Sequence, residues 1–188
     1  SPYTLSLHDA LPIYAKDALR LLGMLSMLYS NALPLKIFED AWAHSREVLD
    51  VGDTKAVVDK LCRWHALQLP EFMEVNANEW DPHRLNKASY LLESLSFIVR
   101  SNPAEGPPLL SMHPLAHAWA KDRQELGQQR KTWVAAACLV ALFIYDNDEH
   151  RDFLPHLKSF LNNIEVKTAF SLGPKSLRSE ERRVGKEC

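Results

Sequence analysis

The chain has 188 residues, of which 46% are hydrophobic and 24% are charged, and its formal net charge is −2. This composition is typical of soluble globular proteins and excludes collagen-like, intrinsically disordered and disulfide-rich classes, while the near-neutral charge predicts no nucleic-acid partner. No apolar stretch reaches the roughly 18 residues of a transmembrane helix, so we expect no membrane partner. Three scattered cysteines without a CxxC pair predict a reducing, cytoplasmic location and no bound metal.

The two ends of the chain resemble translated sequencing adapter. Residues 4–13 read TLSLHDALPI, which the DNA sequence ACTCTTTCCCTACACGACGCTCTTCCGATC encodes. The reverse complement of that DNA, read after one added A, encodes RSEERRVGKE, the sequence of residues 178–187. Because one oligonucleotide read on opposite strands accounts for both ends, we predict that residues 1–13 and 173–188 are adapter or junction sequence. We therefore expect the remainder to be a fragment of a longer protein.

Three helices are predicted in the first part of that remainder. Residues 15–29 are dense in apolar side chains around Gly23, and a helix this apolar is mostly buried in a globular protein. Pro34 begins a second helix, because proline is favoured in a first turn and apolar residues then recur at helical spacing. Gly52 marks the next break, and a third helix is predicted over residues 57–67.

The middle of the chain predicts a helix and a β-hairpin. Residues 69–82 are expected to be irregular, since prolines and asparagines interrupt them. Residues 84–95 place leucines along one side of a fourth helix. Residues 97–101 and 109–112 have strand character, and the turn-forming residues 102–107 between them predict that the two strands pair.

Three further helices are predicted after the hairpin. Pro114 begins a helix that runs to Arg123, and Gly127 is expected to break it. Two more helices follow over residues 133–146 and 151–163. Their order predicts an antiparallel pair of the kind that begins a helical array.

A winged-helix domain has this order of elements: helices, then a short hairpin, then a further helix. We therefore predict a mainly α fold class, in which a winged-helix domain of helices plus one short β-hairpin occupies residues 14–125. Residues 126–172 are predicted to be a helical linker and the start of a repeat array, in which an antiparallel helical pair leads into an α-solenoid.

Three stretches of this sequence resemble one protein family. They are residues 19–38, residues 91–96 (LLESLS) and residues 111–120 (SMHPLAHAWA). Together they resemble the winged-helix module of NB-ARC-type STAND ATPases, which are signal-transducing P-loop NTPases, and in particular fungal-type, NLR-like members that continue into tetratricopeptide repeats. The resemblance covers nearly all of residues 19–161. It implies a module for nucleotide-state sensing, interdomain contact and oligomerisation that is not itself an enzyme.

The most specific part of the resemblance is Met112-His113-Pro114, which follows a predicted strand and opens a predicted helix. In the family this position reads Met-His-Asp, and its histidine contacts the β-phosphate of bound ADP in the closed state. The resemblance implies that His113 senses the nucleotide, with Met112 and Pro114 in support. Since Pro114 stands in place of the Asp, no carboxylate role carries over. The residues alone also allow a plain structural interpretation, in which His113 caps its helix and packs near Trp119.

Cofactor and partners follow from the same resemblance. The chain contains no G-x-x-x-x-G-K-[ST], and Gly173-Pro174-Lys175-Ser176 resembles only its end, so we expect no cofactor in the fragment and no ATP hydrolysis by it. ADP or ATP is expected in the parent protein. The implied partners are the parent's own nucleotide-binding domain and its C-terminal repeats, with a homo-oligomer as the activated form.

The alternative function is a DNA-binding winged-helix domain of a regulator. Such a domain places Lys and Arg on its recognition helix and wing. Here the fourth predicted helix has Arg84 and Lys87 only at its start, and the hairpin has Arg100 alone, so little attraction to phosphate is expected.

A zinc site is a further candidate, because His113 and His117 have the i, i+4 spacing of two ligands on one helix face. No Glu lies between them and no third ligand is near in sequence. An ordinary helix surface is therefore the favoured interpretation.

Overall fold

The structure is a computed structural model that describes residues 12–50, 63–144 and 153–162. In these ranges it is mainly helical with a small three-stranded antiparallel sheet, which confirms the predicted mainly α class. The predicted helix over residues 57–67 lies largely outside the described ranges, as do both adapter-like ends. The elements in chain order are α1 (Ile13–Leu25), β1 (Leu33–Pro34), α2 (Lys36–Asp50), α3 (Arg63–Ala66), a 3₁₀ turn (Glu71–Met73), α4 (His83–Ser94), β2 (Ile98–Ser101), β3 (Leu109–Met112), α5 (Pro114–Asp122), α6 (Leu126–Ile144) and α7 (Leu154–Leu161).

Helix α1 lies at the centre of the apolar core because the second half of its sequence is almost entirely apolar. Its side chains from residue 21 to residue 25 are all buried. The helix ends before the predicted residue 29, and Met27 and Leu28 continue the buried run in a turn whose N–H groups donate to carbonyls three residues back. At the other end, Ile13 is the first residue of α1, although the sequence prediction assigned it to the adapter-like end.

The sheet confirms the predicted hairpin and adds a strand to it. β2 and β3 pair in antiparallel register from Ile98 opposite Met112 to Ser101 opposite Leu109. The strand order is β1-β3-β2, so the two-residue strand β1 occupies the other edge. The sequence prediction missed β1. Pro34 is compatible with it, because an edge strand does not need every N–H for the ladder.

The break between α5 and α6 lies earlier than predicted. α5 ends at Asp122 and α6 begins at Leu126, so Gly127 lies in the first turn of α6. The prediction that Gly127 interrupts the helical structure was therefore wrong. The side-chain amide of Gln129 donates to the carbonyls of Lys121 and Gln124 at 3.1 and 3.0 Å. These bonds satisfy carbonyls that the end of α5 leaves without helical partners, and they hold the short connection in place.

Helices α6 and α7 contact each other as an antiparallel pair. Trp133, early in α6, stacks on Phe160 late in α7 with ring centroids 4.7 Å apart. Phe143, at the end of α6, meets Phe153 just before α7 at 5.0 Å. α6 also packs against α1 and α2, and its buried side chains belong to the same apolar cluster as those of α1. In the described residues, one core therefore spans both sides of the predicted boundary at 125/126.

Candidate functional site

His113 is the residue that joins β3 to α5, and it caps that helix. It is the N-cap residue with an extended backbone, and its Nδ1 accepts a hydrogen bond from the N–H of Leu115 at 3.2 Å. In a neutral imidazole whose Nδ1 accepts, the ring proton lies on Nε2. The side chain is exposed. The structure thus places an N–H donor at the start of a helix, where the positive end of the helix dipole favours an anion.

The neighbours of His113 fix its position and offer no polar side chain. Met112 is buried, and its N–H donates to the carbonyl of Ser30 at 2.6 Å. Pro114 occupies the first helical position, where the missing N–H costs nothing. Trp119, which the plain interpretation placed near His113, stacks on Phe97 with centroids 5.4 Å apart.

His117 has a structural contact that the sequence did not reveal. Its Nε2 lies 2.8 Å from the carbonyl oxygen of Leu28, so the imidazole donates there and ties α5 to the end of α1. The partner lies 89 positions away, which no local pattern could indicate. In the described ranges, no group of three or more His, Cys, Asp or Glu side chains is placed to hold a metal ion.

Residues 26–32, which we call the α1–β1 loop, connect the His113 junction with α7. The loop accepts the two bonds from Met112 and His117, and the N–H of Ala32 donates to Oγ of Ser111 at 3.0 Å. From the other side, the ring of His156 in α7 meets the ring of Tyr29 edge-on at 5.8 Å. The loop therefore contacts β3, α5 and α7 at once.

A buried ion pair joins α1 to α4 behind this site. Asp17 is completely buried, and Arg84 donates to both of its carboxylate oxygens, from Nε at 2.8 Å and from Nη2 at 2.7 Å. Arg84 Nη1 also donates to the carboxylate of Glu74 at 3.0 Å. The hydrogen bonding of Arg84 to the Asp17 carboxylate is the largest cause that raises the pKa of Arg84 above its ordinary value. The Arg84 guanidinium is therefore always charged, and it donates hydrogen bonds to the carboxylates of Asp17 and Glu74.

Arg100, the cation of the hairpin, is also engaged within the chain. Its guanidinium lies over the ring of Tyr90, 4.3 Å from the centroid, and its backbone N–H donates to the Glu93 carboxylate at 3.3 Å. Of the three cations that the DNA-binding alternative relies on, Arg84 and Arg100 thus have intramolecular partners. Lys87 is exposed.

The remaining sequence predictions about this site fall outside the described residues. These are the P-loop-like segment 173–176 and the adapter-like ends apart from residues 12 and 13. In the part of the chain that the structure describes, none of the helices combines the length and the apolar character needed to cross a membrane. The chain matches no model of a known protein family, no curated protein and no solved structure.

Proposed function

We propose that this chain is the winged-helix and helical-linker part of a STAND-type signalling ATPase, and that it senses nucleotide state through His113 without a catalytic site of its own. The observation that carries the proposal is the junction between β3 and α5. An exposed imidazole stands there as the cap of a nine-residue helix, directly after the last strand of the sheet. The element order supports it as well, since helices, a hairpin and a further helix follow one another as expected for a winged-helix domain.

The chemistry of the junction suits a phosphate. The positive end of the α5 dipole attracts an anion, and the Nε2–H of His113 is a donor on a side chain that can itself become charged. The Leu115 N–H is taken by His113 Nδ1 and Pro114 has no N–H, so the imidazole is the main donor that the junction offers. In the proposal, the anion is the β-phosphate of ADP held by the parent's nucleotide-binding domain. The contact between the two domains then depends on which nucleotide is bound, so loss of ADP shifts the population towards the open form.

The α1–β1 loop supplies a physical route for the signal. It contacts the strand that ends at Met112, the helix that begins at Pro114, and α7 through His156. A displacement of α5 towards or away from a nucleotide therefore pulls on the same loop that holds α7. In the proposal, α6 and α7 lead into tetratricopeptide repeats that bind the partner, and the activated protein is a cytoplasmic homo-oligomer.

The DNA-binding alternative has less support than this proposal. A DNA reader needs cations free to meet phosphates and base edges. Arg84 is held by two carboxylates, so a phosphate would have to replace those contacts, and the Arg100 guanidinium lies over the ring of Tyr90.

The genomic sequence upstream of Tyr14 tests the proposal. We expect an in-frame P-loop, G-x-x-x-x-G-K-[ST], on the order of 150 to 250 residues upstream, since a nucleotide-binding domain has about that length. A stop codon immediately upstream, or a long coding sequence without a P-loop, would contradict it.

A further inference from the structure

His156 is the histidine of the described ranges that the fold buries most completely, with 1% of its surface exposed. It lies in α7, stacked on Phe153 with centroids 4.9 Å apart and edge-on to Tyr29 of the α1–β1 loop. The backbone groups of Tyr29 and Ala32 are its hydrogen-bonding neighbours. Its Nδ1 has no hydrogen-bond partner within the described residues.

This environment suits a neutral imidazole and not a charged one. A neutral ring carries one proton, which the backbone carbonyls of the loop can accept at Nε2. A second proton would lie on Nδ1, buried without an acceptor, and the charge would lie between aromatic rings. Burial is the main cause that lowers the pKa of His156, while hydrogen bonding to the backbone of Ala32 and Tyr29 opposes it.

Within the described ranges, the groups around the His156 ring do not supply a compensating charge. The α1–β1 loop presents the phenol of Tyr29, and α6 reaches this end of α7 through the uncharged ring of Phe143 against Phe153. On α7 itself, Lys158 lines a shallow outer groove together with Tyr29. From α5, His117 donates to the same loop at Leu28. No carboxylate of the described residues contributes to the titration of His156.

Helix α7 is short, with eight residues, and two ring pairs join it to the rest of the described chain: Trp133 with Phe160, and Tyr29 with His156. A third pair, Phe143 with Phe153, lies just before it. Short peripheral elements with few apolar contacts open locally at a small fraction of the global unfolding free energy.

We propose that α7 is an acid-released helix: protonation of His156 detaches Leu154–Leu161 from the α1–β1 loop and from α6. Release uncovers the ring face of Trp133 on which Phe160 stacks, so the acid form presents an apolar surface that the neutral form covers. This inference does not depend on the proposed nucleotide sensing.

The direction of the pH effect follows from linkage. Because docking lowers the pKa of His156 below its ordinary value of 6.5, the released helix binds the proton more readily than the docked one. Docking is therefore complete above about pH 6.5 and weakens as the pH falls below it. The docking equilibrium can change at most about tenfold per pH unit, hence roughly thirtyfold between pH 7.5 and pH 5.0.

Hydrogen exchange of the full chain, corrected for the intrinsic pH dependence of amide exchange, measures this directly. In the wild type we expect the protection of α7 amides to fall between pH 7.5 and pH 5.0, by at most about thirtyfold, with a smaller change in the buried half of α1. His156→Phe keeps an aromatic ring without a titrating group, so its α7 protection should be the same at both pH values. His83→Gln, which removes an exposed histidine, should keep the wild-type response.

Equal losses of α7 protection in the wild type and in His156→Phe would overturn the proposal, as would constant protection in the wild type. A second measurement needs no variant. In the NMR spectrum of the wild-type chain, the α7 amide shifts should move with the same pH midpoint as the His156 ring protons, and a different midpoint would equally overturn it.

Discussion

Asp17 and Arg84 are 67 positions apart in the sequence, yet they form the most enclosed polar contact between α1 and α4. Asp17→Ala removes the carboxylate and leaves the guanidinium, which is largely covered, without its main partner. Breaking one side of such a pair typically destabilises a protein by about 3–5 kcal/mol. We expect a loss of that order in the free energy of unfolding, measured by urea denaturation.

The matched control is Glu71→Ala, which also removes a carboxylate but breaks an ion pair at the surface. Arg20 meets Glu71 at 2.7 Å, but the Glu71 side chain is 73% exposed. Exposed pairs contribute at most about 1 kcal/mol. If Asp17→Ala costs no more than Glu71→Ala, the buried pair does not hold α1 to α4 as described.

Some residue roles could be predicted from the sequence, and others depend on contacts that only the fold creates. The position of His113, after a strand and before Pro114, was visible because proline and the strand pattern mark the junction locally. The bond from His117 to Leu28 and the clamp of Arg84 on Asp17 were not, since each depends on two helices meeting in space. From the sequence, Arg84 is a cation near the start of a helix. In the fold, its role is structural, because it holds α4 to α1 through Asp17.

At the scale of elements, two glycines test how far local conformation governs stability. Gly106, in the hairpin turn, has φ +109°, which an L side chain rarely adopts. Gly127 lies in the first turn of α6, and a Cβ there would meet no atom within 4 Å. We expect Gly106→Ala to destabilise by about 1 kcal/mol or more, and Gly127→Ala to stabilise by a few tenths to about 1 kcal/mol.

Thermal unfolding of the two glycine variants provides the measurement. The midpoint should fall for Gly106→Ala and stay or rise for Gly127→Ala. A fall of similar size in the thermal midpoints of both variants would show that Gly127 does interrupt the helix, as the sequence predicted.

The elements that sequence patterns predicted well are those with strong local signals. β3 was predicted with its observed bounds, α4 within one residue at each end, and α5 with its observed start. β1 was missed because two residues cannot show a period of two, and because proline argued for a helix start instead. The early start of α6 was missed because the side-chain bonds of Gln129 close the α5–α6 turn without a glycine break.

At the scale of the whole molecule, the adapter-like ends should not matter for stability. α1 requires Pro12, whose carbonyl accepts from the N–H groups of Ala15 and Lys16 at 2.9 and 3.2 Å, so a trimmed protein should begin there. We expect removal of residues 1–11 and 178–188 to leave the thermal midpoint within a few degrees. A loss on the scale of a core truncation, roughly 2–5 kcal/mol, would show that the ends belong to the fold.

The two interpretations of His113, helix cap and nucleotide sensor, differ in whether they need a second domain. The cap on Leu115 is a local property of α5, whereas nucleotide sensing requires a second domain opposite the exposed imidazole. His113→Ala removes both the cap and the ring. His113→Ser keeps a capping oxygen but lacks the reach of Nε2, so it removes the proposed phosphate contact alone. His83→Ala, at the start of α4, is an exposed histidine with no assigned role in the proposal.

The dissociation rate of ADP from the full-length protein that the proposal implies is the most direct test of the central claim. A charge-assisted hydrogen bond to phosphate contributes on the order of 1.5–3 kcal/mol, which corresponds to roughly 10- to 150-fold in affinity. We predict that ADP leaves His113→Ala and His113→Ser faster by a factor in that range, while His83→Ala releases it at the wild-type rate. Equal ADP dissociation rates in the wild type and both His113 variants would contradict the account and leave His113 as a helix cap.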